Sequence, residues 1–152
     1  MVTTPSIVVA LTAMFWLGMV VAISFLETPL KFRAQGVTLE IGLAIGRLVF
    51  HALNAVECVL AAVLIATIGW LARDDSYTVD SALWVGAGVA IGALLLQRFM
   101  VRPVLDQRLD ARLRGDVVAP SRHHLVYIGL EFAKLAGLIT LVIVVATTGD
   151  AT

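Results

Sequence analysis

Four long apolar stretches separated by short polar connections organise this chain. The first covers about 6–26 and runs into Glu27-Thr28-Pro29, where proline is expected to stop a helix. The second covers about 41–72, well beyond the ~20 residues that cross a bilayer. It must tilt, kink near Gly42 or Gly46, or project from the membrane. The third covers about 81–100 and the fourth about 124–147. The pattern predicts an all-α integral membrane protein, a four-transmembrane-helix bundle forming a single membrane domain over 1–152. Trp70, Tyr77 and Trp84 cluster around the second connection, as an aromatic belt would.

Composition agrees with that pattern. Hydrophobic residues make up 60% of the 152 positions and charged residues 14%, and mean hydropathy is +0.97, far from the values of soluble domains. Eleven basic residues balance eleven acidic ones, which argues against a nucleic-acid footprint. The single Cys58 lies in the second stretch and reads as a small packing residue, with no disulfide framework. Met1 to Pro5 carries no Lys or Arg, and the apolar run behind it is too long for a signal-peptide core. A retained first helix is expected.

Basic residues set the expected orientation. Lys31 and Arg33 lie in the first connection, with Arg47 early in the second span; Arg98, Arg102, Arg108, Arg112, Arg114 and Arg122 flank or fill the third. The second connection has only Arg73 against Asp74, Asp75 and Asp80, and the C-terminal tail has Asp150. The positive-inside rule puts the first and third connections in the cytosol and both termini outside, in an inner or plasma membrane. Expected partners are the lipid bilayer and either further copies of the chain or a larger membrane complex.

Within the third connection, 104–114 places Leu105, Leu109 and Leu113 at four-residue spacing among charges, with Gly115 as a stop. This predicts a short amphipathic helix at the membrane face, with Asp110 and Arg114 at the favourable i, i+4 spacing. Sliding the chain by 74 residues aligns Gly18 with Gly92, Phe25 with Phe99, Pro29 with Pro103 and Glu57 with Glu131. A tandem two-helix pseudo-repeat is expected, its halves related by an axis along the membrane normal.

Ionisable residues inside the spans carry the candidate chemistry, because a charge at the bilayer centre costs ~2.5–3.5 kcal/mol on insertion scales. Arg47, His51, Asn54 and Glu57 draw one polar stripe along the second span; His124, Tyr127, Glu131 and Lys134 draw another along the fourth. At matched depth, Arg47 should lie near His124, Asn54 near Glu131, and Glu57 near Lys134. Small residues at Gly88 and Gly92, and at Gly129, Ala133 and Gly137, offer ridges for close helix approach or oligomerisation. Two carboxylates beside one ammonium leave one acid poorly compensated, and pairing of Lys134 with Glu57 leaves Glu131 as the proton-exchanging group.

The expected function is binding or transport of a small solute or ion with proton coupling, without enzymatic chemistry and without a cofactor. One alternative is a non-enzymatic subunit or assembly factor, with the charges serving only helix register. Another is a haem- or quinone-binding anchor using His51 and His124 as axial ligands. A metal site from Glu57, Glu131, His51 and His124 lacks the Glu-x-x-His spacing of di-iron bundles. The chain has no glycine-rich phosphate loop, cysteine pair or serine elbow. Glu27 and Lys31 stand four apart, but the intervening Pro29 argues against their pairing on a helix.

Overall fold

The computed structural model describes residues 4–73, 79–118 and 122–149. Met1 to Thr3, Asp74, Asp75, Tyr77 and Asp150, used above for topology, the aromatic belt and the N-terminus, lie outside the described residues. The chain is a bundle of four helices, each long and apolar enough to cross a membrane: α1 (Thr4–Lys31), α2 (Leu39–Leu71), α3 (Ser81–Leu113) and α4 (His123–Gly149). Thr38 caps α2 by accepting from the Ile41 amide, and Asp80 caps α3 by accepting from the Ala82 amide.

Every helix buries a seam spaced four and three residues apart. On α1 it is Val9, Ala13, Trp16 and Val20; on α2 it is Glu57, Ala61, Leu64, Ile68 and Leu71. On α3 it runs Leu83, Ala87, Ala90, Leu94, Gln97 and Val101; on α4, Tyr127, Glu131, Lys134, Leu138 and Leu141. This alternation keeps one narrow stripe of each helix facing its neighbours. The stripe is apolar at the end carrying the second connection, and polar over the turns nearer the other two. Large apolar side chains such as Leu11, Phe15, Leu48, Val59 and Phe99 cover the outside, as a lipid-facing surface requires.

One expectation about proline is overturned. Helix α1 does not stop at Glu27-Thr28-Pro29 but continues to Lys31, and α3 continues through Pro103 to Leu113. The short amphipathic helix expected over 104–114 is present, as Arg102–Leu113, and joins the spanning part of α3 without a break. The cause is a π-helical segment ahead of each proline, at Val21–Glu27 and Gln97–Val101. There the Thr28 amide bonds to the Ile23 carbonyl and the Arg102 amide to the Gln97 carbonyl, five residues back in each case. The widened turn makes room for the pyrrolidine ring and absorbs its missing N–H. The helix then ends at Leu113, and Gly115 turns the chain with φ at 86°.

Continuity through the prolines also corrects two pairings. Lys31 Nζ does reach Glu27, 3.2 Å from Oε2, because both lie on one unbroken helix. Asp110 bonds Arg47 across the bundle at 2.7 Å, and Arg114 turns instead to Asp116 at 3.5 Å.

The α3–α4 pair packs backbone to backbone at Gly86 and Gly137. A Cβ on Gly137 would sit 2.6 Å from the Gly86 carbonyl oxygen and 3.0 Å from the Ala90 nitrogen. Of the ridge glycines expected from sequence, Gly137 alone makes such an approach; Cβ atoms at Gly88, Gly92 and Gly129 would meet nothing within 4 Å. Gly137→Ala is therefore expected to force the two helices apart and cost ~1–3 kcal/mol, whereas Gly92→Ala should be near neutral. Reversible unfolding in mixed micelles measures both. Equal effects would show that close α3–α4 contact does not limit stability.

Candidate functional site

Charges meet at the polar end of the four seams. Lys134 Nζ lies 2.6 Å from Glu57 Oε1, and 3.3 and 3.4 Å from the two oxygens of Glu131. The lysine and Glu57 are fully buried, and Glu131 is 1% exposed. The i, i+3 spacing places Glu131 and Lys134 on one face of α4, while Glu57 arrives from α2. Trp16 of α1 donates from Nε1 to Glu57 Oε1 at 2.9 Å. From α3, Gln97 donates from Nε2 to Glu131 Oε1 at 3.0 Å and to the Tyr127 carbonyl at 3.3 Å. All four helices thus contribute a bond to one cluster.

The cluster extends toward the basic end through Asn54. With its amide oriented to suit both neighbours, Asn54 donates to Glu57 Oε2 at 3.0 Å and accepts from Arg102 at 3.1 Å. The other arm of the guanidinium donates to the Arg47 carbonyl at 3.2 Å. Arg102, Glu57, Lys134 and Glu131 therefore form one line of alternating charge, summing to zero when both acids are ionised.

The structure brings together Asn54, Glu57, Tyr127, Glu131 and Lys134 among the residues expected from sequence. It separates Arg47, His51 and His124 from them. Arg47 is held by Asp106 at 3.2 Å and Asp110 at 2.7 Å, and His51 Nε2 lies 3.3 Å from Asp106. Both carboxylates arrive on the continuation of α3, which is why the expected Arg47 stripe does not extend into the seam. The His51 side chain is half exposed, and His124 is exposed beside a cavity that Arg47 also lines. Among the described residues, no three His, Cys, Asp or Glu side chains are grouped to hold a metal ion.

That cavity, about 440 Å³, opens at the basic end between the last turns of α1 and α3 and the first turns of α2 and α4. Arg102 and Tyr127 belong to its lining, and Arg102 links it through Asn54 to the buried cluster, whose Glu57, Glu131 and Lys134 lie behind that lining. The Phe50 ring packs edge-on against Tyr127 at 5.4 Å. Gly42 and Gly46 let α2 accept Phe32 and Lys31, whose side chains stand where Cβ atoms would otherwise be.

No family model, curated protein or solved structure matches this chain. Its chemistry must be read from the residues themselves. Sequence reasoning missed Trp16, Gln97 and Arg102. The available signal was the four-three spacing, which continues from Leu94 to Gln97 and centres on Trp16 in α1.

Removing the ammonium alone strands two buried carboxylates. Lys134→Met is expected to lose ~3–5 kcal/mol of stability. Adding Glu57→Gln and Glu131→Gln to that variant should recover part of the loss, because a neutral cluster no longer needs the cation. Unfolding midpoints of the single and triple variants in mixed micelles measure this. A triple variant weaker than Lys134→Met would mean that the three side chains are not energetically coupled.

Proposed function

We propose that this chain is a membrane-embedded binding or transport protein for a small solute or ion. Proton exchange at the Glu57–Lys134–Glu131 cluster is coupled to occupancy of the cavity beside it. The observation that carries this reading is one ammonium shared by two carboxylates, sealed from solvent and joined through Asn54 to Arg102, which lines an open cavity. Lys134 sits closer to Glu57, which makes Glu131 the carboxylate of weaker compensation and the proton site of this reading.

Charge counting supplies the coupling. Arg102, Glu57, Lys134 and Glu131 sum to zero when ionised, with Tyr127, Gln97 and Trp16 as the neutral groups around them. A proton on Glu131 leaves one excess positive charge beside the cavity. That charge favours an anion there, and by linkage an anion there favours the proton.

Orientation and internal symmetry belong to the same proposal. The basic end faces the cytosol and both termini face outward, supported by the arginines around the third connection. The two halves are tandem repeats, supported by the π-type bonds Thr28 to Ile23 and Arg102 to Gln97, which stand in the same 74-residue register as Pro29 and Pro103.

A second reading, a non-enzymatic subunit or assembly factor, draws on a different observation: the deep cluster is closed and its charged atoms are bonded to one another. The haem alternative gains no support from the Asp106 contact that occupies His51 Nε2. Reconstitution into liposomes separates the first two readings. Under an imposed pH gradient, a lumenal pH-sensitive dye should report proton entry with the wild type, and Glu131→Gln should reduce it to the level of empty liposomes. Unchanged proton entry in Glu131→Gln and Glu57→Gln, together with lowered unfolding midpoints, would establish the subunit reading instead.

A further inference from the structure

The cavity at the basic end has two kinds of wall. Lys31, Arg47, Arg102, Arg108 and Arg112 bring five cationic side chains to it, against one carboxylate, Asp106. Phe32, Leu39, Leu43, Phe50, Leu105 and Leu109 supply an apolar side. Its volume of about 440 Å³ lies within the range of sites that enclose a small organic molecule.

Two groups at the inner boundary lack the partners their chemistry calls for. Arg102 is 6% exposed, yet the oxygens it meets, the Asn54 amide and the Arg47 carbonyl, are both neutral. A buried guanidinium ordinarily has a carboxylate or phosphate across its fork. Tyr127 is 6% exposed, and its buried hydroxyl makes no hydrogen bond of normal geometry, with the Glu131 carboxylate beside it. Unpaired buried hydroxyls are uncommon and costly. The two line one cavity, and Lys31 and Arg47 differ from Arg102 in already having carboxylates.

We propose that this cavity binds an amphiphilic acid: a carboxylate or phosphate head held by the Arg102 guanidinium and the Tyr127 hydroxyl, with an apolar chain against Phe32, Phe50 and Leu109. Arg112, exposed at the cavity wall, meets the head on entry. The chemistry is shared by the head of an anionic lipid in the surrounding leaflet and by a soluble amphiphile. Basic pockets between spanning helices bind anionic lipid head groups, and a soluble amphiphile offers the same head chemistry. The inference deepens the binding reading given above by naming the ligand class, and it rests on that reading's cavity.

The test uses the whole protein in nanodiscs of zwitterionic phosphatidylcholine, at fixed pH and without a gradient, so its failure is distinct from failure of proton-linked flux. Calorimetric titration with hexyl phosphate should show saturable binding, and inorganic phosphate alone should bind far more weakly. Tyr127→Phe removes one buried hydroxyl, keeps the ring contact with Phe50 and is expected to fold as wild type. It should weaken hexyl phosphate about tenfold, the effect of losing one hydrogen bond to a charged group. Arg112→Gln should weaken it in the same direction, and Arg114→Gln, outside the cavity, should not. Adding phosphatidylglycerol to the nanodiscs identifies the source: competition with hexyl phosphate assigns the site to a leaflet lipid, and undiminished binding assigns it to a soluble amphiphile. Absence of hexyl phosphate binding in phosphatidylcholine nanodiscs, or wild-type affinity in Tyr127→Phe, overturns the proposal. Equal affinity for inorganic phosphate does so as well.

Discussion

A charge inside a membrane-spanning bundle must be balanced within the bundle, and that constraint organises this molecule. Lys134 meets it by bonding Glu57 from one side and Glu131 from the other. Trp16, Asn54 and Gln97 take up remaining lone pairs of the carboxylates. Each of the four helices is thereby pinned in depth and rotation by at least one polar bond at the same level. Apolar contacts in lipid specify register weakly, since any sliding of leucines past leucines still leaves them in an apolar medium. A buried ion pair contributes little net stability but penalises every register that breaks it.

Lysine suits this position better than arginine would. Its compact ammonium has three donors, which it spends on two carboxylates arriving from different helices. A planar guanidinium would prefer one carboxylate in a two-point contact. Arginine appears instead at Arg102, where two arms address two separate oxygens at the edge of the cavity.

Five of the cluster's eight side chains were legible in the sequence, because a polar residue in an apolar run is visible at once. Asn54, Glu57, Tyr127, Glu131 and Lys134 follow from spacing alone. Trp16 escaped since tryptophan reads as apolar until its N–H finds a partner. Gln97 and Arg102 escaped for a deeper reason. Five residues apart on an α-helix, they would diverge by about 140°. The π-helical segment between them narrows that angle, so both reach the buried cluster. Linear periodicity assumes a constant turn and cannot register this. The same assumption made Pro29 look like a helix end, and it set the stretch carrying Asp106 and Asp110, which claim Arg47 and His51, apart from the third span.

The π segment of α3 therefore joins two regions that the sequence presents as unrelated, a spanning helix and an arginine-rich connection. Arg102 is the point of junction. It lines the cavity and, through Asn54, stands two hydrogen bonds from the carboxylate that holds Lys134. A charge arriving at its guanidinium is felt along that line, because each bond sits in a low-dielectric interior where electrostatic effects are screened little. The deep cluster and the cavity are thus one electrostatic unit with two surfaces: a closed one that fixes the bundle, and an open one whose cation still lacks an anionic partner among the described residues.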